Sequence, residues 1–143
     1  MIIHDTYLRV RYGETDQMGY VYYGKYAEYF EVGRAETIRN LGIPYKVVEE
    51  KGIFMPVADL QVSYKFPARY DDNLRVRTTI PEIPRSSFPT LYEVYNEEDT
   101  LLVTGSVRLA FFHREKMRPV RVPEFILEAV KAVWPDPQNQ TFI

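Results

Sequence analysis

Hydrophobic and polar residues alternate along five stretches of the chain and follow a helical period along two. From Tyr7 to Tyr12, Leu8, Val10 and Tyr12 alternate with Tyr7, Arg9 and Arg11, which predicts a short half-exposed strand. Gly13 to Gly19 is a polar loop flanked by glycines. From Gly24 to Leu41 the period becomes helical, with Ala27, Phe30, Glu31, Arg34, Ile38 and Leu41 on one face. Gly42 and Pro44 then read as a stop signal. A second strand is expected over Ala58–Phe66, with Ala58, Leu60, Val62, Tyr64 and Phe66 alternating with Asp59, Gln61, Ser63 and Lys65 and Pro67 ending it. Asp71-Asp72-Asn73 marks a turn. Further strands follow at Leu74–Ile80, Phe88–Asn96 and Leu101–Phe112, the last two joined by the Asn96–Asp99 hairpin turn. A final helix over Pro123–Trp134 points Ile126, Leu127, Val130 and Val133 inward.

One strand, one long helix, four strands and one short helix make an α+β layout. Short connections favour antiparallel neighbours, and the simplest packing curls the sheet around the long helix. A chain of 143 residues suits one domain over residues 1–143, with 135–143 a loose tail beyond Pro135.

The apolar fraction of 45% and charged fraction of 27% fit a globular core and exclude wholesale disorder. The net charge of −2 speaks against a nucleic-acid binder that works by phosphate neutralisation. With no cysteine, a disulfide framework, a thiolate nucleophile and a cysteine-based metal site are excluded. The two histidines, His4 and His113, lie far apart, so no metal site is expected. Phosphate-loop and dinucleotide glycine motifs are absent. No signal-like segment and no membrane-length apolar run occur, so a cytoplasmic protein without membrane contact is expected.

Candidate chemistry concentrates between Asp16 and Arg34. Asp16 lies in a glycine-flanked loop directly before a long helix, whose start offers unpaired N–H groups and a positive dipole end. Such a carboxylate can attack a carbonyl or activate water, and the N–H groups can hold the oxyanion. An N-cap or loop-closing aspartate fits the same position. Tyr20, Tyr22, Tyr23, Tyr26 and Tyr29 suit either a pocket or interface, or the core. Glu31 and Arg34, three apart, are expected to form a buried ion pair, with Glu31 alternatively a second catalytic carboxylate. Arg85-Ser86-Ser87 could hold a phosphate or form a solvated turn, and Lys65 and Arg69 are equally open. His113 lacks the partners of a Ser-His-Asp hydrolase.

The run Asp16-Gln17-Met18-Gly19-Tyr20-Val21-Tyr22-Tyr23-Gly24-Lys25-Tyr26, followed by Glu31 and Arg34, resembles the hot-dog-fold acyl-CoA thioesterases. Within them it is similar to the 4-hydroxybenzoyl-CoA thioesterase and YbgC-like branch. Met55-Pro56-Val57, Phe66 to Asp72, Arg85-Ser86-Ser87 and Arg118 to Pro123 extend the resemblance over almost the whole chain.

The resemblance implies a curved antiparallel sheet wrapped around one central helix. It also implies a homodimer or homotetramer with the site at the subunit interface, and hydrolysis of an acyl-CoA to acid and free CoA. Asp16 takes the place of the nucleophile or general base, with backbone N–H groups near Tyr23 as the oxyanion hole. Gly19, Val21, Tyr22 and Tyr26 line the substrate site, and Arg85, Ser86 and Ser87 meet the CoA nucleotide. Many YbgC-like members carry His at the position of Tyr23. A tyrosine, with an ordinary pKa of about 10, shapes a pocket or donates a hydrogen bond rather than shuttling protons at neutral pH. No cofactor is implied, since CoA belongs to the substrate. Two alternatives use the same fold: an acyl-CoA or acyl-carrier-protein binding protein without hydrolytic activity, and an acyl-carrier-protein thioesterase.

Overall fold

The structure, a computed structural model, describes residues 1–143. The chain runs through β1 (Ile2–Arg9), a 3-10 turn (Tyr12–Glu14), α1 (Lys25–Asn40), α2 (Tyr45–Glu50), β2 (Ile53–Phe54) and β3 (Val57–Tyr64). It continues through β4 (Asn73–Ile80), β5 (Ser87–Tyr95), β6 (Leu101–His113), β7 (Arg118–Val120), α3 (Glu124–Val133) and β8 (Thr141–Phe142).

The strands form one sheet, and β6, 13 residues long, organises half of it. Its first part lies between β3 and β5, and its far end pairs with β2 and β7. The order then continues β5, β4, β1, β8. Every pair is antiparallel except β1 with β8.

The alternation places Leu74, Val76 and Ile80 of β4, Phe88, Tyr92 and Val94 of β5, and Val107, Leu109 and Phe111 of β6 in one core. Helix α1 lies across that face, because its packing side is cut to fit. Gly33 lies so close to β4 that a Cβ there would come within 2.8 Å of the Thr78 hydroxyl and 2.9 Å of Val76. Phe30 occupies the space above Gly105, where any side chain on β6 would run into its ring. Its ring also stacks on Tyr92, 4.4 Å between centroids at 10°.

Several expectations are corrected. The first strand begins at Ile2, and Tyr12, expected to end it, opens the 3-10 turn. Gly42 does end α1 region, with φ of 85°, but Pro44 caps the start of α2 rather than only closing α1. The buried face of α1 is Tyr26, Tyr29, Phe30, Gly33, Arg34, Thr37 and Ile38, while Glu31 is exposed. Glu31 and Arg34 do not pair. The buried Arg34 donates from Nε to the Tyr45 hydroxyl (3.0 Å) and from Nη1 to the Tyr92 hydroxyl (3.2 Å). Tyr92 in turn shares a 2.7 Å hydrogen bond with Thr90. The apolar face of β3 is almost wholly exposed. The tail expected to be loose returns to the sheet: the Thr141 N–H donates to the Met1 carbonyl and the Ile143 N–H to that of Ile3.

Candidate active site

The loop before α1 is a closed hairpin rather than a free segment. Isolated bridges join Thr15 to Val21 and Tyr20 to Arg69. The Val21 N–H donates to Ala68 (2.8 Å), which ties the loop to the turn after β3. Gly19, at φ of 81°, takes the left-handed conformation the hairpin tip requires. Asp16 closes the tip from inside. Its Oδ1 accepts from the N–H of Met18 (2.9 Å) and of Tyr20 (3.3 Å), and Oδ2 meets no donor of the chain. The loop-closing and chemical readings of Asp16 therefore coexist, one on each oxygen.

A carboxylate that the sequence reading missed braces this loop. Glu14 is buried and accepts from the Arg11 N–H (2.8 Å), the Arg11 guanidinium (3.3 Å) and the Tyr29 hydroxyl of α1 (3.0 Å). Burial pushes its carboxyl up, but those donors outweigh it and hold the pKa below the ordinary glutamate value. Tyr29 is pushed up, first by burial and then by the Glu14 carboxylate it serves. Tyr29 meets Tyr26 edge-on at 5.6 Å, and Tyr26 meets Tyr64 of β3 in the same way at 5.6 Å. Burial also raises the Tyr26 hydroxyl's pKa. An aromatic file thus runs from the loop brace to the edge of the sheet.

This file floors a cavity of about 290 Å³ lined by Asp16, Met18, Tyr20, Val21, Tyr23, Tyr26, Tyr64, Lys65, Phe66 and Pro67. Asp16 also faces a second opening of about 750 Å³, bounded by Tyr12, Gly19 and Tyr70 among others. At the start of α1 the N–H groups of Tyr23 and Gly24 meet no acceptor, and no side chain caps the helix. The Tyr23 carbonyl accepts from the Tyr64 hydroxyl at 3.0 Å, which fixes that peptide segment.

The structure gathers Asp16, Val21, Tyr23 and Tyr26 around one cavity and sets Gly19 on the other side of Asp16. Tyr22 lies outside both, exposed and packed on Tyr23 at 4.4 Å. Arg85, Ser86 and Ser87 line a separate polar cavity of about 570 Å³ with Glu82 and Trp134. Glu31 lines neither opening onto Asp16. Tyr64, Phe66 and Pro67 were not foreseen here, and Lys65, an open candidate beside Arg85-Ser86-Ser87 in the sequence, lies at this cavity and not at theirs. Their signal was the end of a strand between two prolines, Pro56 and Pro67, which suits an edge. No group of three or more His, Asp or Glu side chains converges as a metal site would require. No helix is long and apolar enough to cross a membrane.

Residues 10–130 match the family model of the thioesterase-like superfamily. The putative acyl-CoA thioesterase YneP of Bacillus subtilis is 36% identical over 116 residues, 80% of this chain and 83% of its own. The acyl-CoA thioester hydrolase YbgC of Escherichia coli O157:H7 is 30% identical, covering 87% of this chain and 92% of its own. Among solved structures, a DHNA-CoA thioesterase from Staphylococcus aureus superposes with a TM-score of 0.85 at 36% identity, over 93% of each chain. The chain therefore belongs to the thioesterase-like superfamily, and its α+β architecture is the hot-dog fold of those thioesterases.

Proposed function

We propose that the protein hydrolyses the thioester bond of an acyl-CoA at Asp16, releasing a carboxylic acid and free CoA. The observation that carries this reading is the juxtaposition around one cavity of an acceptor-free helix start and a carboxylate with one oxygen committed and one free. Oδ2 of Asp16 either attacks the carbonyl carbon or takes a proton from the water that does. On the first route the CoA thiolate departs and leaves an Asp16–acyl anhydride that water then cleaves to the acid. On the second the proton taken by Asp16 passes to the departing thiolate, and on both the carbonyl oxygen gains negative charge. If the substrate carbonyl points to the start of α1, that charge meets the N–H groups of Tyr23 and Gly24. These donors need no reorganisation, because Tyr64 and the hairpin hold the segment.

The Tyr23 side chain borders the cavity and shapes it, while Val21 and Tyr26 supply its inner wall. Arg85, Ser86 and Ser87, in a separate cavity, provide charge-assisted and hydroxyl donors suited to a CoA phosphate. Glu31 receives no role.

The working unit is a homodimer. The outer edge of β3 is unpaired along eight residues, and Val57, Leu60, Tyr64 and Phe66 are exposed along or just beyond it. A second copy paired there would cover the cavity at Tyr64 and Lys65, so the site would lie between subunits.

Free-thiol release from short, medium, long and aromatic acyl-CoAs, and from the same acyl groups on acyl-carrier protein, tests the reading. Release from at least one CoA ester supports it. Release from the carrier-protein esters alone would move the substrate to that carrier, and no release from either would leave a binding role.

A further inference from the structure

The cavity that Asp16 shares with Tyr23 contains one cation, Lys65, and it is unused. Lys65 makes no salt bridge with any carboxylate of the chain, and its ammonium donates no hydrogen bond within it. The backbone that carries it is fixed. The N–H groups of Lys65 (2.8 Å) and Phe66 (3.1 Å) both donate to the Leu102 carbonyl, a bulge-like pairing that pins the backbone where β3 ends. The neighbouring walls are the rings of Tyr64, Tyr23 and Phe66 and the apolar Met18, Val21 and Pro67. Lys65 is exposed, and a lysine without a carboxylate partner that lines a largely aromatic cavity is suited to receive an anion.

Two parts of an acyl-CoA could supply that anion, the acyl group or the phosphates of CoA. Size separates them. Lys65 and Asp16 line the same cavity of about 290 Å³, so Lys65 belongs to the surroundings of the reaction centre. The pantetheine arm places about a dozen bonds between the thioester sulfur and the nearest phosphate. An extended chain of that many bonds spans roughly 13 Å. The phosphate is too far away, and an anion within the cavity belongs to the acyl side. A carboxylate entering next to Asp16 would otherwise meet only a like charge, which Lys65 offsets.

We propose that Lys65 is a specificity-determining residue that pairs with a second carboxylate at the far end of a short acyl group. The favoured substrates are then the CoA half-esters of short dicarboxylic acids. The proposal rests on the thioesterase reading above for its substrate, though the receptor itself can be tested without turnover.

The test uses the full-length protein and Lys65→Met, with glutaryl-CoA and pentanoyl-CoA as a matched pair. The pair is repeated as pantetheine thioesters that lack the phosphates, and as non-hydrolysable thioether analogues of the CoA compounds. The expected result is a fall of about tenfold or more in the glutaryl-to-pentanoyl ratio of kcat/KM, the size of one charge-assisted hydrogen bond. The same fall should appear in the pantetheine series. An unchanged ratio overturns the proposal. A loss that appears with CoA esters and vanishes with pantetheine esters also overturns it, because Lys65 would then read phosphate. If the wild type cleaves no ester, the thioesterase reading fails and the thioether affinities decide this one. Weakening by Lys65→Met confined to the carboxylate-bearing analogue supports it, and equal weakening of both overturns it.

Discussion

Strands β5 and β3 flank β6 on opposite sides and carry the same alternation, yet they meet opposite fates. On β5, Phe88, Tyr92 and Val94 are 1%, 1% and 0% exposed. On β3, Val57, Leu60 and Tyr64 are 53%, 42% and 52% exposed. Periodicity sets which residues share a face, but not whether anything covers that face. For β5, helix α1 covers it. For β3 the cover reaches only Val62, against the core, and one side of the Tyr64 ring, against Tyr26, and the strand's far edge has no partner. The candidate active site sits at the end of this second strand. The difference teaches that the chain's best-packed half stabilises it, while its least satisfied half carries the candidate site and the proposed dimer contact.

The sharpest way to break this comparison is to truncate one residue on each strand. Phe88→Ala should destabilise the fold by about 3–5 kcal/mol, as core phenylalanine truncations do. Leu60→Ala should stay within about 0.5 kcal/mol of the wild type at protein concentrations where the chain is monomeric. Urea titrations of the two variants measure both. Equal losses would mean that β3 is buried in a way one chain does not reveal.

Next in size is the hydroxyl of Tyr92, which satisfies the buried Arg34 guanidinium together with Tyr45. Tyr92→Phe keeps the stacking on Phe30 but leaves one N–H of the guanidinium unpaired. It should cost about 1–3 kcal/mol in the same assay. No counterpart exists on β3, where water can serve any polar group.

Leu60→Glu places a charge on the exposed edge. It should leave the urea midpoint of the monomer nearly unchanged while shifting the sedimentation profile from dimer towards monomer. A dimer that persists unaltered would place the subunit contact elsewhere.

The smallest effect lies on β1 and β4, on the side of β5 away from β3. Arg77 donates two 2.8 Å hydrogen bonds to Asp5, and that contact first, then its charge and that of Arg75, hold the carboxyl below its ordinary value of about 3.9. A carboxylate with a depressed folded pKa contributes stability that is fully present above the unfolded pKa. That contribution is lost as the pH falls through the folded one. Urea midpoints should therefore decline below about pH 4, and Asp5→Asn should flatten part of that limb. Glu14, lowered in the same sense, should add to the decline.

How much of this was legible in the sequence follows from which signals are local. Helix α1 and strands β3 to β6 show themselves through their own periodicity. Strand β2, with two residues, β7, with three, and β8, with two, are too short to show a period and exist only because β6 or β1 offers an edge. Helix α2 hides behind Pro44, which was read as the end of one helix although proline equally suits the start of the next. In the site, Asp16 was legible because the glycine-flanked loop and the following helix are contiguous with it. The place of Tyr64 and Lys65 in it was not, because 48 residues separate Tyr64 from Asp16 and only the sheet brings them together. Arg34 shows the same limit. Its sequence neighbour Glu31 was the obvious partner, whereas its actual partners lie 11 and 58 residues away.

The central claim is that Asp16 carries the hydrolysis, and one pair of rate measurements tests it most directly. Thiol release from the best acyl-CoA should be compared for the wild type and Asp16→Asn, with circular dichroism and urea midpoints confirming that both are folded. Asparagine keeps an Oδ1 that can accept from Met18 and Tyr20 but removes the charge. The account predicts a folded variant whose kcat falls by about 10³-fold or more, beyond the 10²–10³ typical of losing one oxyanion donor. A folded Asp16→Asn protein that hydrolyses the ester at the wild-type rate would contradict it.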